Sequence, residues 1–294
     1  MTATGSPAGA RLRLRFALRK ARDAAGLTQQ QVGESLHWSL SKVQRIEAGE
    51  STISLTDLAA VIRLFDLRDP AQIDQMTADA RLARRRGVWN QSEYRSQLTS
   101  ALLQIGQFEH EATAVRVFQP AVFPGLLQER GYANAVIGAV VDHMPADMQN
   151  ARLDFRMQRQ RDFFSRPDGM PLYFVILDEA LPERIQGDKA TMARQLGHVL
   201  DVAQRPEIRI RFLPKHEAIY LLLGAFTVYA LAGDEDAAVY KEYSVTDDLI
   251  QDPDLVKIYR HRFEQMWNLC LSEQASMDLI SARYATMISE LSRG

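Results

Sequence analysis

Apolar positions recur at helical spacing through the first part of the chain. Leu14, Leu18, Ala21 and Ala25 form one stripe and Val32 and Leu36 a second. Val43 and Ile46 form a third, and Leu55, Leu58, Ile62 and Phe65 a fourth. The Arg/Leu alternation from Arg11 to Phe16 would suit a short strand, but the longer helical pattern overrides it. Gly26 follows the first stripe where a glycine closes a helix, and Thr28 and Ser39 stand where hydroxyls cap the next two. Ser54 with Asp57 resembles a capping box, and Asp69-Pro70 reads as a cap with a first-turn proline. Gly33 lets a neighbouring helix approach closely, and Gly49 stops the third helix. The pattern predicts an all-α bundle of five short helices. Residues 1–10, MTATGSPAGA, have no large apolar side chain after Met1 and read as a disordered tail.

From Gly87 the character changes. Leu98, Ala101, Leu102 and Ile105 mark a linking helix. Short runs rich in β-branched and aromatic residues then follow at 113–118, 171–177, 207–213, 225–231 and 237–243. These five are expected strands. Helical patterns occupy 129–141, 148–164, 188–203, 254–270 and 274–291. The reading is an α+β domain, with a mainly antiparallel sheet favoured by the short link between the last two strands. The expected organisation is a tail at 1–10, a helical domain at 11–87 and an α+β domain at 88–294.

Charge separates the two parts. Residues 1–90 hold 14 Lys and Arg against 9 Asp and Glu, whereas the remainder holds 21 against 28. Only the front part suits a polyanion. Its charge gathers at Arg11, Arg13, Arg15, Arg19, Lys20 and Arg22, and again at Arg81, Arg84, Arg85 and Arg86. With 46% hydrophobic and 24% charged residues the chain has the composition of a folded soluble protein. No apolar run is long enough to span a membrane and no secretory signal is visible, so a cytoplasmic location is expected. The lone cysteine, Cys270, cannot form an intramolecular disulfide and reads as helix packing.

The string Gly26-Leu27-Thr28-Gln29-Gln30-Gln31-Val32-Gly33, followed by Ser39-Leu40-Ser41-Lys42-Val43-Gln44-Arg45-Ile46-Glu47-Ala48-Gly49, resembles the helix-turn-helix of the phage-repressor/Cro family, often called Xre-like. The resemblance covers roughly residues 12–68 and implies that the third helix enters the DNA major groove by its N-terminal end. Carried over residue by residue, it makes Leu40, Ser41, Lys42 and Arg45 base-facing, with Gln29 touching phosphate or a base edge. Arg45 can grip guanine O6 and N7 in a bidentate manner and is expected to carry most of the readout. Thr28 and Ser39 stand at helix N-termini whose amides can meet phosphate, and Arg13 is expected to contact the backbone of any sequence alike. The resemblance also implies a structural ion pair between Arg22 and Glu47.

Phe118-Gln119-Pro120-Ala121-Val122-Phe123-Pro124-Gly125-Leu126-Leu127-Gln128, followed by Tyr132-Ala133, resembles a signature of a domain of unknown function attached to such heads in actinomycete regulators. Arg156-Met157-Gln158-Arg159-Gln160, Leu177-Asp178-Glu179-Ala180-Leu181, Gln195-Leu196 and Tyr240-Lys241-Glu242 extend that likeness over 109–280. Glu129 and Pro182 depart from it. The resemblance implies regulators of development or specialised metabolism, commonly encoded beside a small partner protein.

Independent chemistry is sparse in the rear part. Asp178, Glu179 and Glu183 could pair or hold a metal, but no H-E-x-x-H or D-x-D-x-D spacing exists, so they read as solvated turn residues. His216 lacks a nucleophile context and reads as a loop histidine. Arg152, Arg156, Arg159 and Arg161 crowd one helix, which suits either a solvated face or an anionic ligand. No catalytic residue, metal or cofactor is expected. The chain is therefore expected to be a sequence-specific regulator of transcription that binds a double-stranded operator, and to pair as a homodimer. Its rear domain would receive a small-molecule ligand or a neighbouring-gene protein. An antitoxin-like autorepressor and an enzyme in the rear domain are the alternatives. Ile258, Phe263, Met266 and Trp267, with Met277, Ile280, Met287 and Leu291, are the candidate pairing stripes, although such stripes more often pack a core.

Overall fold

The computed structural model describes residues 7–49, 51–84, 98, 100–140, 145–231, 237–242 and 247–293. The chain divides into two compact units, residues 1–90 with 230–237 and residues 91–229 with 238–294. The boundary expected near residue 88 and the basic pair Arg85-Arg86 lie outside the described residues.

In the first unit five helices follow the hydrophobic stripes: α1 (Pro7–Ala24), α2 (Gln29–Leu36), α3 (Leu40–Glu47), α4 (Leu55–Leu64) and α5 (Pro70–Ala83). Their starts are set by side-chain acceptors. Thr28 accepts from the Gln31 amide while Gln31 accepts from the Thr28 amide, closing a capping box. Ser39, Ser54 and Asp69 accept from the amides of Lys42, Asp57 and Ala71. Gly26 takes φ +67° past the end of α1, a conformation that costs a side chain dearly. A Cβ on Gly33 would lie 3.0 Å from the Trp38 carbonyl oxygen, so this position lets α2 and the start of α3 close together. Leu14, Leu18, Val32, Val43, Ile46 and Leu58 meet in one buried cluster. Truncating a fully buried member such as Leu58 to alanine costs about 2–5 kcal/mol.

The disordered tail is corrected over its last four residues. Helix α1 begins at Pro7, and Ala8, Gly9 and Ala10 are buried. Ala10 packs against Leu82 and Ala83 of α5, and Arg11 Nε donates to the Ala83 carbonyl at 3.0 Å. Small residues order here because they let two backbones approach, a contribution that a search for large apolar side chains misses. Residues 1–6 lie outside the described residues.

The second unit is α+β. Helix α6 (Ser100–Glu111) leads into β1 (Ala114–Gln119), after which come α7 (Arg130–Val140), α8 (Ala146–Phe164) and β2 (Leu172–Asp178). Then follow α9 (Lys189–Val202), β3 (Ile208–Leu213), β4 (Phe226–Ala230), β5 (Ala237–Glu242), β6 (Asp247–Ile250), α10 (Pro253–Leu269) and α11 (Glu273–Leu291). The six strands form one mixed sheet in the order β3-β2-β1-β4-β5-β6. Strands β5 and β6 pair antiparallel, whereas β1, β2 and β3 run parallel, with Val117 opposite Val175 and Val175 opposite Ile210. Helical crossovers between β1, β2 and β3 return the chain to the same end of the sheet, which forces the parallel half. Strand β6 was not anticipated, because the four residues Asp247–Ile250 begin with two acids and show no alternation.

Helices cover both faces. Trp267 of α10 meets Phe174 edge-on at 5.4 Å, and Phe163 of α8 meets Tyr173 at 5.4 Å from the opposite side. The candidate pairing stripes are corrected accordingly. Phe263, Met266, Ile280 and Met287 are buried in the core of this unit, whereas Ile258 and Leu291 remain exposed. Asp178 is likewise buried and not solvated: its Oδ1 accepts from Arg184 at 2.8 Å and from the Ala180 amide at 3.2 Å. Glu179 accepts from the Lys215 amide and Glu183 pairs with Arg283, so the three acids do not form a cluster. His216 is exposed on a 3-10 turn. Cys270 caps the end of α10, where burial pushes its thiol up to about 12.

Candidate nucleic-acid interface

Helix α3 has two chemically distinct faces. Val43, Ile46 and Glu47 are buried, while Leu40, Ser41, Gln44 and Arg45 are exposed along the other side and Leu40 stands 43% open. The spacing of 40, 41, 44 and 45 places them on one stripe. Ser39 caps the helix, and the amides of Leu40 and Ser41 in its first turn have no helical acceptor. The exposed end therefore offers a flexible guanidinium, a hydroxyl, an amide side chain and an apolar tip beside free helix-start amides, a donor set suited to base edges and phosphate.

The orientation of α3 is fixed from behind by Glu47. Its Oε1 accepts from Arg22 Nε at 2.7 Å and its Oε2 from Gln29 Nε2 at 2.8 Å, while Arg15 Nε donates to its carbonyl oxygen at 2.6 Å. Three helices are joined through this one residue, which is 4% exposed. The hydrogen bond to Glu47 raises the Arg22 pKa further above its ordinary value, against the smaller opposing effect of burial. The ion pair expected between Arg22 and Glu47 is present.

The sequence-selected residues fall into three groups. Leu40, Ser41 and Arg45 are exposed, and the only described contact of the Arg45 guanidinium is a 3.3 Å bond from Nε to the Ser41 carbonyl. Thr28 and Ser39 are caps at the two helix starts. Gln29, Lys42 and Arg13 are held by acids of the same unit. Gln29 donates to Glu47, and Lys42 Nζ lies 3.1 Å from Asp57 Oδ2 and 3.8 Å from the centre of the Trp38 ring. Arg13 is held by the most extensive of these pairings. Its Nη2 sits 2.6 Å from Oδ1 of the buried Asp79, with Nε 3.2 Å from both carboxylate oxygens. This pair makes Arg13 a link between α1 and α5. Gln44, on the exposed stripe, went unselected, although its i+3 spacing from Ser41 was visible. Nothing local marks Asp57 or Asp79 as partners, because 15 and 66 residues separate them from Lys42 and Arg13.

In the second unit the scattered motif residues converge. Gln160 Nε2 donates to the carbonyls of Gly125 and Gln128, Gln195 Nε2 to that of Leu127, and Gln195 Oε1 accepts from the Glu129 amide. Arg156 donates to the Gln128 side chain at 2.6 Å, and the Tyr132 hydroxyl accepts from the Phe123 amide. Together they brace the turn 123–129. Burial pushes the Tyr132 phenol up to about 12. The basic cluster on α8 divides: Arg159 is buried against Glu109, whereas Arg161 is exposed.

Capped helices, a tight turn and an open face on α3 define a helix-turn-helix protein, and residues 13–76 match a helix-turn-helix domain. Residues 102–282, more than half of the chain, match a family described as a domain of unknown function, DUF5753, and the chain belongs to that family. No curated protein and no solved structure matches it. Among the described residues no helix is long and apolar enough to cross a membrane. Among them, too, no three His, Cys, Asp or Glu side chains gather as they would around a metal ion.

Proposed function

We propose that the chain is a cytoplasmic, sequence-specific transcriptional regulator of the Cro/C1 type. Its first unit inserts the N-terminal end of α3 into the major groove, and its second unit is a regulatory module without catalytic activity. The observation that carries this reading is the exposed stripe of Leu40, Ser41, Gln44 and Arg45 over a back face anchored by Glu47. A single groove helix cannot compete with a genome of non-specific sites, so the active species is a homodimer on a two-fold operator, with half-site centres about 34 Å apart.

Genome-wide mapping of bound DNA supplies the operator, and binding to it is then measured against salt. Neutralising about five phosphates gives a log-log slope near −4 to −5. Arg45→Ala costs about 1–3 kcal/mol on the cognate site and relaxes the preference at one base pair. Arg13→Ala lowers the melting temperature and leaves the salt slope unchanged, because its partner is Asp79. Salt-independent binding, or equal losses by Arg45→Ala on cognate and random DNA, refutes the reading.

A further inference from the structure

The second unit holds a partly open cavity of ≈ 330 Å³ between its sheet and the helices α6 and α8. Its floor is one face of the sheet: Val115 and Val117 on β1, Tyr173 opposite Val115 on β2, and Thr227 and Tyr229 on β4 line it at a spacing of two. Its roof includes Ile105 and Glu109, one turn apart on α6, with Arg159 from α8, and the braced turn 123–129 contributes the side wall. The volume lies in the range of pockets that enclose small molecules, about 300–1,000 Å³.

The polar groups of this cavity differ in what they already hold. Arg159 Nε lies 2.8 Å from Glu109 Oε2, and a second bond joins Arg159 Nη2 to Glu109 Oε1, so two buried charges cancel in a fork. Burial disfavours the charged guanidinium, yet attraction to Glu109 outweighs it and the Arg159 pKa is raised. Tyr173 is 1% exposed and Tyr229 3% exposed, and both line the cavity. Burial, with a smaller effect of Glu109, pushes both phenols up, so both hydroxyls stay protonated as donors. Two protonated phenols among the valines, Ile105 and Phe123 that line this chamber suit an oxygen acceptor carried on an apolar body and brought in from outside the chain.

We propose that this cavity binds a small organic molecule with an apolar one- or two-ring body and a carbonyl-type oxygen head, amide or carboxylate, that accepts from Tyr173 and Tyr229. The assignment deepens the regulatory reading of the second unit and rests on it. Its test needs no DNA, so its failure leaves the DNA-binding reading standing. Titration calorimetry of the full chain with 2-naphthamide and 2-naphthoate gives one site per chain for at least one probe, with a dissociation constant of about 1 mM or below. The stronger probe tells whether the head is neutral or anionic. Tyr229→Phe deletes one oxygen and weakens binding about fivefold, whereas Val117→Phe narrows the chamber and weakens it at least about tenfold. If Val117→Phe does not fold, Tyr229→Phe carries the test alone. No saturable binding of either probe, or unchanged affinity in the folded variants, overturns the proposal.

Discussion

Replacing Glu47 by alanine removes the acceptor that joins α1, α2 and α3. Arg22 is left with a side chain 13% exposed, and Gln29 loses its 2.8 Å bond. Breaking a buried ion pair by deleting one partner costs about 3–5 kcal/mol, because the surviving charge is uncompensated. The lower end applies here, since Arg22 also meets Asp23 at 2.7 Å and donates to the Leu27 carbonyl at 2.9 Å. A loss of about 3 kcal/mol in a unit of this size lowers its melting temperature by about 12–24 °C. Hydrogen exchange resolved by peptide reads the effect in α1–α3 while the helices of the second unit serve as the internal control. The companion variant Arg22→Met/Glu47→Leu removes both charges at once and stays within about 1 kcal/mol of the parent, because no buried charge is orphaned. A cost below about 1 kcal/mol for Glu47→Ala, or a double variant as unstable as the single one, refutes the assignment of this pair as the brace behind α3.

Two further outcomes follow from local geometry. His37 ends α2 at φ 55°, ψ 39°, so His37→Gly relieves left-handed strain and stabilises the first unit by about 0.5–1 kcal/mol after the extra chain entropy of glycine; a lower melting temperature contradicts this. Burial raises the Cys270 pKa from 9.0 to about 12, so its thiolate fraction at pH 8 falls about a thousandfold and appears only as pH approaches 12. Disulfide-exchange labelling at pH 8 is accordingly slow in the folded chain and fast in urea; equal rates in the two states count against the burial.

The first unit was legible because its signals are local. Each cap accepts from an amide only two or three residues ahead, so Thr28, Ser39, Ser54 and Asp69 could each be recognised from neighbours alone. The parallel half of the sheet was not, because the spacing of apolar residues along β1, β2 and β3 carries no information about which strand lies beside which. Composition also misled at the N-terminus, where Ala8, Gly9 and Ala10 order through backbone proximity and not through side-chain area.

Arg13 and Arg45 show where the limit lies for the site itself. Both are arginines on helices of one basic unit, and sequence reasoning sent both to DNA. Their fates part at acids distant in the chain: Arg13 finds Asp79 across the bundle, whereas the only described contact of the Arg45 side chain is with its own helix. A basic residue in a folded domain competes for two kinds of anion, the carboxylates of its own chain and the phosphates of a partner. The intramolecular pair prevails wherever the carboxylate is buried and already positioned, since no ordering is then required on binding. Gln29 is held in the same way by the buried Glu47, whereas Lys42 meets the half-buried Asp57. On the proposed function the readout falls to the exposed stripe of α3, so altering Arg45 or Gln44 is expected to change which sequence is bound, whereas altering Arg13 or Glu47, which are paired inside the unit, is expected to change its stability.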